Sequence, residues 1–105
     1  MKKITTKHTT KNYTVLMNAL GNFELYSYNT HICTIDAVIN YIYVTTYYDY
    51  SATTKKHLRW FFADTINASI GINDIRKALE NNSFINIDNI PFKVEYSNIR
   101  PIQRL

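Results

Sequence analysis

One cysteine, Cys33, is all that the chain holds, so no disulfide can close within it and the fold must stand on a buried core. Glycine occurs only twice, at Gly21 and Gly71, which excludes a glycine-rich phosphate loop. No apolar run is long enough to cross a membrane. The basic opening, Met1 to Asn12, leads into no sustained apolar stretch of the kind a signal peptide needs. Together these absences point to a reducing, cytoplasmic setting. Acidic charge is also short: 8 Asp and Glu stand against 12 Lys and Arg, for a formal net charge of +4. An acidic mimic of DNA is thereby excluded. The excess is far below that of ribosomal proteins or histones, so a moderate attraction to phosphate-rich or acidic partners is expected.

What is present suffices for one domain, residues 1–105, with an ordinary globular hydrophobic content of 46%. Asn, Ile, Tyr, Lys and Thr are abundant, and most of these have A/T-rich codons, as in a low-GC bacterium or its phage. Residues 1–12 carry Lys2, Lys3, Lys7 and Lys11 without an acid and form a basic N-terminal arm. It reads either as a solvated tail or edge strand, or as an arm for phosphates.

Residues 13–20 and 23–28 read as a β-hairpin about Gly21-Asn22. Strands over 32–38 and 41–46 follow, and Tyr47, Tyr48 and Tyr50 crowd the exit. From Ser51 to Ile70, Leu58, Phe61, Phe62, Thr65, Ile66 and Ser69 recur at helical spacing, with Ser51 or Thr53 as N-cap and Gly71 at the C-terminus. Asn73 or Asp74 caps a short second helix carrying Ile75, Ala78 and Leu79. Residues 84–87 and 90–96 form a closing hairpin about Asp88-Asn89, with Pro91 indicating an edge or a late start. The tail, 98–105, is expected to be loosely held. The fold class is α+β: an antiparallel sheet of hairpins packed by one long amphipathic helix and one short helix, with Leu58, Phe61, Phe62 and Ile66 facing the sheet.

Catalytic patterns are missing. His31, Cys33 and His57 are chemically suited to a metal, and strand alternation places His31 and Cys33 on one face, but their spacing matches no zinc pattern. Asp36, Asp49 and Asp64 are scattered rather than paired for general acid–base work. Neither a metal, a cofactor nor an enzyme activity is expected.

Three features suit binding instead. Ser51, Thr53 and Thr54, followed by Lys55 and Lys56, place hydroxyls, free N–H groups and cations at a helix N-terminus, where cations oppose the helix dipole. This arrangement would take an anion, or Ser51 and Thr53 merely cap the helix. Trp60 lies opposite the apolar stripe with Lys56, Ala63 and Asn67 on its face and Arg59 beside it. It is either an interface anchor or base-stacking platform, or packed under the second helix or the N-terminal segment. Tyr26 and Tyr28 share one strand face and Tyr41 and Tyr43 another, either as an aromatic platform or as an ordinary outer sheet face.

The runs Ser27-Tyr28-Asn29-Thr30-His31-Ile32 and Ser51-Ala52-Thr53-Thr54-Lys55-Lys56-His57 fit the pattern S-Y-N-T-x-I followed by S-x-T-T-x-K-H. Over Glu24 to Phe62 the chain resembles a family of small proteins from phages and mobile elements of low-GC bacteria. The resemblance transfers no catalytic residue. By context it implies an antagonist of host defence, such as an anti-CRISPR inhibitor. The expected function is therefore non-enzymatic inhibition by binding a host protein or ribonucleoprotein complex, a CRISPR effector such as Cas9 with its guide RNA. The alternative is a basic nucleic-acid-binding or regulatory protein. Lys55, Lys56, Arg59, Trp60, Asn67, Tyr26, Tyr28, Tyr41 and Tyr43 are the candidate contacts.

Overall fold

The computed structural model describes residues 1–97, so the tail read at 98–105 lies outside the described residues. Its elements are β1 (Lys2–Lys3), β2 (Tyr13–Met17), β3 (Phe23–Ser27), β4 (Thr30–Asp36), β5 (Tyr41–Val44), α1 (Ala52–Ile66), α2 (Ile72–Glu80), β6 (Phe84–Ile87) and β7 (Ile90–Tyr96). The seven strands form one sheet in the order β1-β2-β3-β4-β5-β7-β6.

Local turn chemistry sets most of the meander. Tyr28 and Asn29 join β3 to β4 with φ of 53° and 66°, and Asp88 and Asn89 join β6 to β7 with φ of 52° and 68°. Positive φ at both central residues matches the twist of the flanking strands. The β2–β3 connection is wider than the expected Gly21-Asn22 turn. It spans residues 18–22, organised by the Asn18 side chain, whose Oδ1 accepts the N–H groups of Leu20 and Asn22 at 2.9 and 3.1 Å. Gly21 supplies the positive φ, 83°, that this loop requires. β4 ends at Asp36, short of the expected Val38, because Asp36 Oδ1 accepts the N–H groups of Val38 and Ile39 and turns the chain.

The sheet is mixed rather than wholly antiparallel. β5 and β7 run parallel, from Tyr41 opposite Lys93 to Val44 opposite Tyr96. A parallel pair needs a long crossover, and α1 with α2 provides it. The closing hairpin thus docks through its second strand, leaving β7 interior and β6 at an edge. The parallel ladder begins at Lys93, so the missing N–H of Pro91 falls before it.

The long helix expected over Ser51 to Ile70 is shorter: α1 has 15 residues. Ser51 Oγ caps it by accepting the Thr54 N–H at 3.1 Å. Asn67 ends it in the left-handed conformation, φ 53°, and the N–H groups of Asn67 and Ala68 both turn to the Phe62 carbonyl. Asparagine tolerates that conformation, so the helix stops before reaching Gly71. Gly71 is instead the N-cap of α2, and Asp74 Oδ2 accepts its N–H at 2.9 Å. Asn73 and Asp74 therefore lie in the first turn of that helix, and Asp74 caps it from the third helical position rather than as the N-cap residue.

Both helices cover one face of the sheet. Leu58, Phe61 and Phe62 are fully buried against Val15, Leu25, Ile35, Ile42 and Val44, while Ile66 is partly buried at the margin. Ile75 and Ala78 bring α2 onto the same core. The fold is α+β. Among the described residues, no helix is long and apolar enough to cross a membrane.

Candidate functional site

The face of the sheet away from the helices is uncovered by any other described element. Cross-strand register places Glu24 beside Thr34 and Thr34 beside Tyr43, with Tyr26 beside His31 and Asp36 beside Tyr41. Tyr41 and Tyr43 stack at 5.4 Å, and Tyr26 stacks on His31 at 5.2 Å. The Tyr26 hydroxyl donates to Glu24 Oε1 at 3.0 Å, Asn18 holds the other carboxylate oxygen at 2.8 Å, and His31 Nε2 lies 2.8 Å from Thr34 Oγ1. Half-burial pushes the Tyr43 hydroxyl above the ordinary tyrosine pKa, and the charges of Glu95, Tyr41 and Asp36 push the same way. Here aromatic rings sit among the carboxylates of Glu24, Asp36 and Glu95, with Lys93 opposite Tyr41 and 3.7 Å from Glu95.

A bulge makes this face possible. β4 carries one extra residue, Ile32, against Leu25 and Tyr26 of β3. The extra residue breaks the expected alternation. His31 turns to the open face, while Cys33 is fully buried, with burial pushing its thiol far up in pKa. The two do not share a face, and among the described residues no group of three or more His, Cys, Asp or Glu could hold a metal.

On the other side, the two sequence patterns meet. Ser27 Oγ lies 2.7 Å from His57 Nδ1 and 3.5 Å from Thr54 Oγ1. Ser51 donates its hydroxyl to Thr54 Oγ1 at 3.1 Å, and the Tyr28 ring sits 6.1 Å from that of His57. Ser27, Thr54 and His57 are buried, so this polar chain joins the β3–β4 turn to the start of α1 beneath the surface. Ser51 and Thr54, read as anion ligands, turn their hydroxyls inward; Thr53 is half-buried.

Trp60 is half-buried, with the His8 ring stacked on it at 4.6 Å and Tyr13 edge-on at 5.5 Å. Asp64 holds the assembly: Oδ1 lies 2.9 Å from His8 Nδ1, while Oδ2 accepts from the Tyr13 hydroxyl at 2.8 Å and the His8 N–H at 3.3 Å. Burial and the Asp64 carboxylate both push the Tyr13 hydroxyl far up in pKa. The N-terminal arm is therefore an edge strand at Lys2–Lys3 and a docked segment at His8. Lys56 is exposed, its Nζ 5.0 Å over the indole; Arg59 and Asn67 are exposed and Lys55 half-buried.

The candidate contacts thus fall into two groups. Tyr26, Tyr41 and Tyr43 lie on the open face. Lys55, Lys56, Arg59 and Trp60 lie on α1 and Asn67 at its C-cap, across the sheet, and exposed Tyr28 goes with them through His57. The contributions of His8, Tyr13 and Asp64 to this side were not legible in the sequence, because they join positions more than 50 residues apart. Thr54 and His57 did leave a signal. They extend the Leu58–Phe61 stripe backwards at spacings of three and four.

His57 and His31 carry a pH prediction. Burial, then the Lys56 charge, lowers the His57 pKa; burial lowers that of His31, opposed in part by Glu24. The unfolded chain takes up these protons near pH 6.5, before the folded one does. Stability is therefore complete above that pH and falls as the medium is acidified through it. The melting temperature should drop between about pH 7 and pH 5, and a His57→Gln variant should show a shallower drop. A flat profile would contradict the assignment.

No curated protein and no solved structure matches the chain. A model for a family of unknown function, DUF8033, matches residues 1–83, from the start of the chain through α2. The match spans most of the 105 residues, and the chain belongs to that family.

Proposed function

We propose that this protein acts without catalysis, by binding a protein partner through the open face of its sheet. In this reading it is a phage-type inhibitor of a host defence complex, with a CRISPR effector such as Cas9 as the leading class. The observation that carries the binding reading is the aromatic row Tyr26–His31 and Tyr43–Tyr41 on a sheet whose two described helices lie behind it. Tyrosine supplies large, rigid, amphipathic contact area at low entropic cost, as interface anchors do. Lys93, opposite Tyr41, lies 3.7 Å from Glu95 and offsets it, so Glu24 and Asp36 leave the rings in an acidic setting on balance, which favours a basic protein patch over phosphate at this face. The host-defence part rests on the resemblance of residues 27–32 and 51–57 to small phage proteins, and such a partner places the protein in the bacterial cytoplasm.

The second reading, nucleic-acid binding, is favoured by Lys56 and Arg59 beside Trp60. His8 already occupies one face of the indole, which leaves charge rather than base stacking as the attraction. The test is capture of partners from a low-GC bacterial lysate by the tagged protein, with and without nuclease, read by mass spectrometry. A defence protein that survives nuclease and is lost with Tyr41→Ala/Tyr43→Ala, but kept with Lys56→Ala/Arg59→Ala, supports the proposal. The reverse pattern, with recovery abolished by nuclease, moves the function to the helix side and to nucleic acid.

A further inference from the structure

The two edges of the sheet are built differently. At one end β1 is two residues long, and both are exposed lysines. A short, charged edge strand discourages pairing with another chain. At the other end, the free edge among the described residues is β6, Phe84-Ile85-Asn86-Ile87, without a charge or a proline. Its Phe84 is 55% exposed.

The backbone of β6 can be followed residue by residue. Ile87 and Ile90 flank the two-residue turn and form its closing hydrogen-bonded pair. Alternation along the ladder then makes Asn86 with Pro91, and Phe84 with Lys93, the pairs without mutual hydrogen bonds. Pro91, which has no N–H, agrees with that assignment. The Ser83 carbonyl, next in the alternation, accepts the Val94 N–H at 3.3 Å. The N–H and C=O groups of Phe84 and Asn86 therefore point out of the sheet.

We infer that β6 pairs antiparallel with β6 of a second copy of this chain, joining two sheets into one through a two-fold axis at Ile85. The outward groups sit on residues 84 and 86, symmetric about 85, so Phe84 of each copy faces Asn86 of the other and both pairs can exchange both backbone hydrogen bonds. Ile85 meets Ile85 of the partner on the helix-covered side, apolar against apolar. The Phe84 rings extend the open aromatic face across the join. Charge does not oppose the contact, because the strand has none. Lys93, which bonds Asn82 at 2.7 Å and lies 5.8 Å from the Phe84 ring, is one strand further in. The two Lys93 would stand three strand spacings apart, roughly 14 Å, beyond the screening length of about 8 Å at physiological salt.

The experiment is sedimentation equilibrium on the full chain over a concentration series from low micromolar to several hundred micromolar, joined to amide exchange at Phe84 and Asn86. The wild type should approach twice the chain mass, with both amides more protected as concentration rises. Asn86→Pro removes only an outward N–H and should leave a folded monomer. Phe84→Lys/Asn86→Lys sets ammonium groups opposite one another across the axis and should weaken association at least ~10-fold, while keeping the wild-type circular dichroism. Lys3→Pro, at the far edge, should leave the mass of the assembly unchanged. A wild type that stays monomeric throughout overturns the inference. So does a dimer that persists undiminished in a folded edge variant, or one that dissociates only on Lys3→Pro.

Discussion

Replacing Phe61 with alanine should remove a large part of this protein's stability. The ring is fully buried between α1 and the sheet and packs 5.7 Å from that of Phe62. Truncating a buried phenylalanine loses the transfer energy of the ring and leaves a cavity that a close-packed neighbourhood fills only in part, about 3–5 kcal/mol together. A domain of this size has roughly 5–15 kcal/mol in all. Chemical denaturation should show the midpoint falling steeply, and thermal melting should drop by at least about 12 °C at several degrees per kcal/mol. Phe61→Leu, which keeps most of the volume, should cost clearly less. A loss below about 1 kcal/mol for the alanine variant would mean that α1 does not seat this ring in the core.

Asp64→Ala should be the most disruptive polar substitution. The Asp64 side chain is 1% exposed and receives the Tyr13 hydroxyl, the His8 backbone N–H and the His8 ring. Removing it strands the buried Tyr13 hydroxyl, and an unpartnered buried donor carries its full desolvation cost. It also releases His8 from the face of Trp60. His8 is 32% exposed, so solvent screens part of its pairing with Asp64, and the total expected is about 2–3 kcal/mol. Tyr13→Phe with Asp64→Ala should cost less than the sum of the two single changes, because the phenyl ring leaves no stranded donor. Intrinsic tryptophan fluorescence should shift in Asp64→Ala as the indole loses its cover. Strict additivity of the two changes would show that the hydroxyl and the carboxylate do not act as one unit.

These two residues also mark what could be read from the chain alone. Helical periodicity assigns Phe61 to the sheet-facing stripe, because it depends only on neighbours three and four positions away. The sequence places the Asp88-Asn89 hairpin with both strands at their observed bounds, since the propensity for positive φ belongs to the turn residues themselves. Asp64 read only as one of several scattered carboxylates. Its partners are 51 and 56 positions away, and nothing in local spacing encodes such a meeting.

The sequence by itself determined the α+β class, the apolar stripe of α1 and the closing hairpin. The tertiary structure decided the rest. It made β5 and β7 parallel, because a crossover through two helices lets the hairpin dock by either strand and the core chose the second. It ended α1 at Asn67, where a left-handed asparagine competes with continued helix. It separated His31 from Cys33 through one extra residue in β4. Above all, it put Tyr26, Tyr41 and Tyr43 on the opposite side of the sheet from Lys55, Lys56, Arg59 and Trp60. Which face a strand residue takes depends on register and bulges across the whole sheet, while which face a helix residue takes depends only on its own turn.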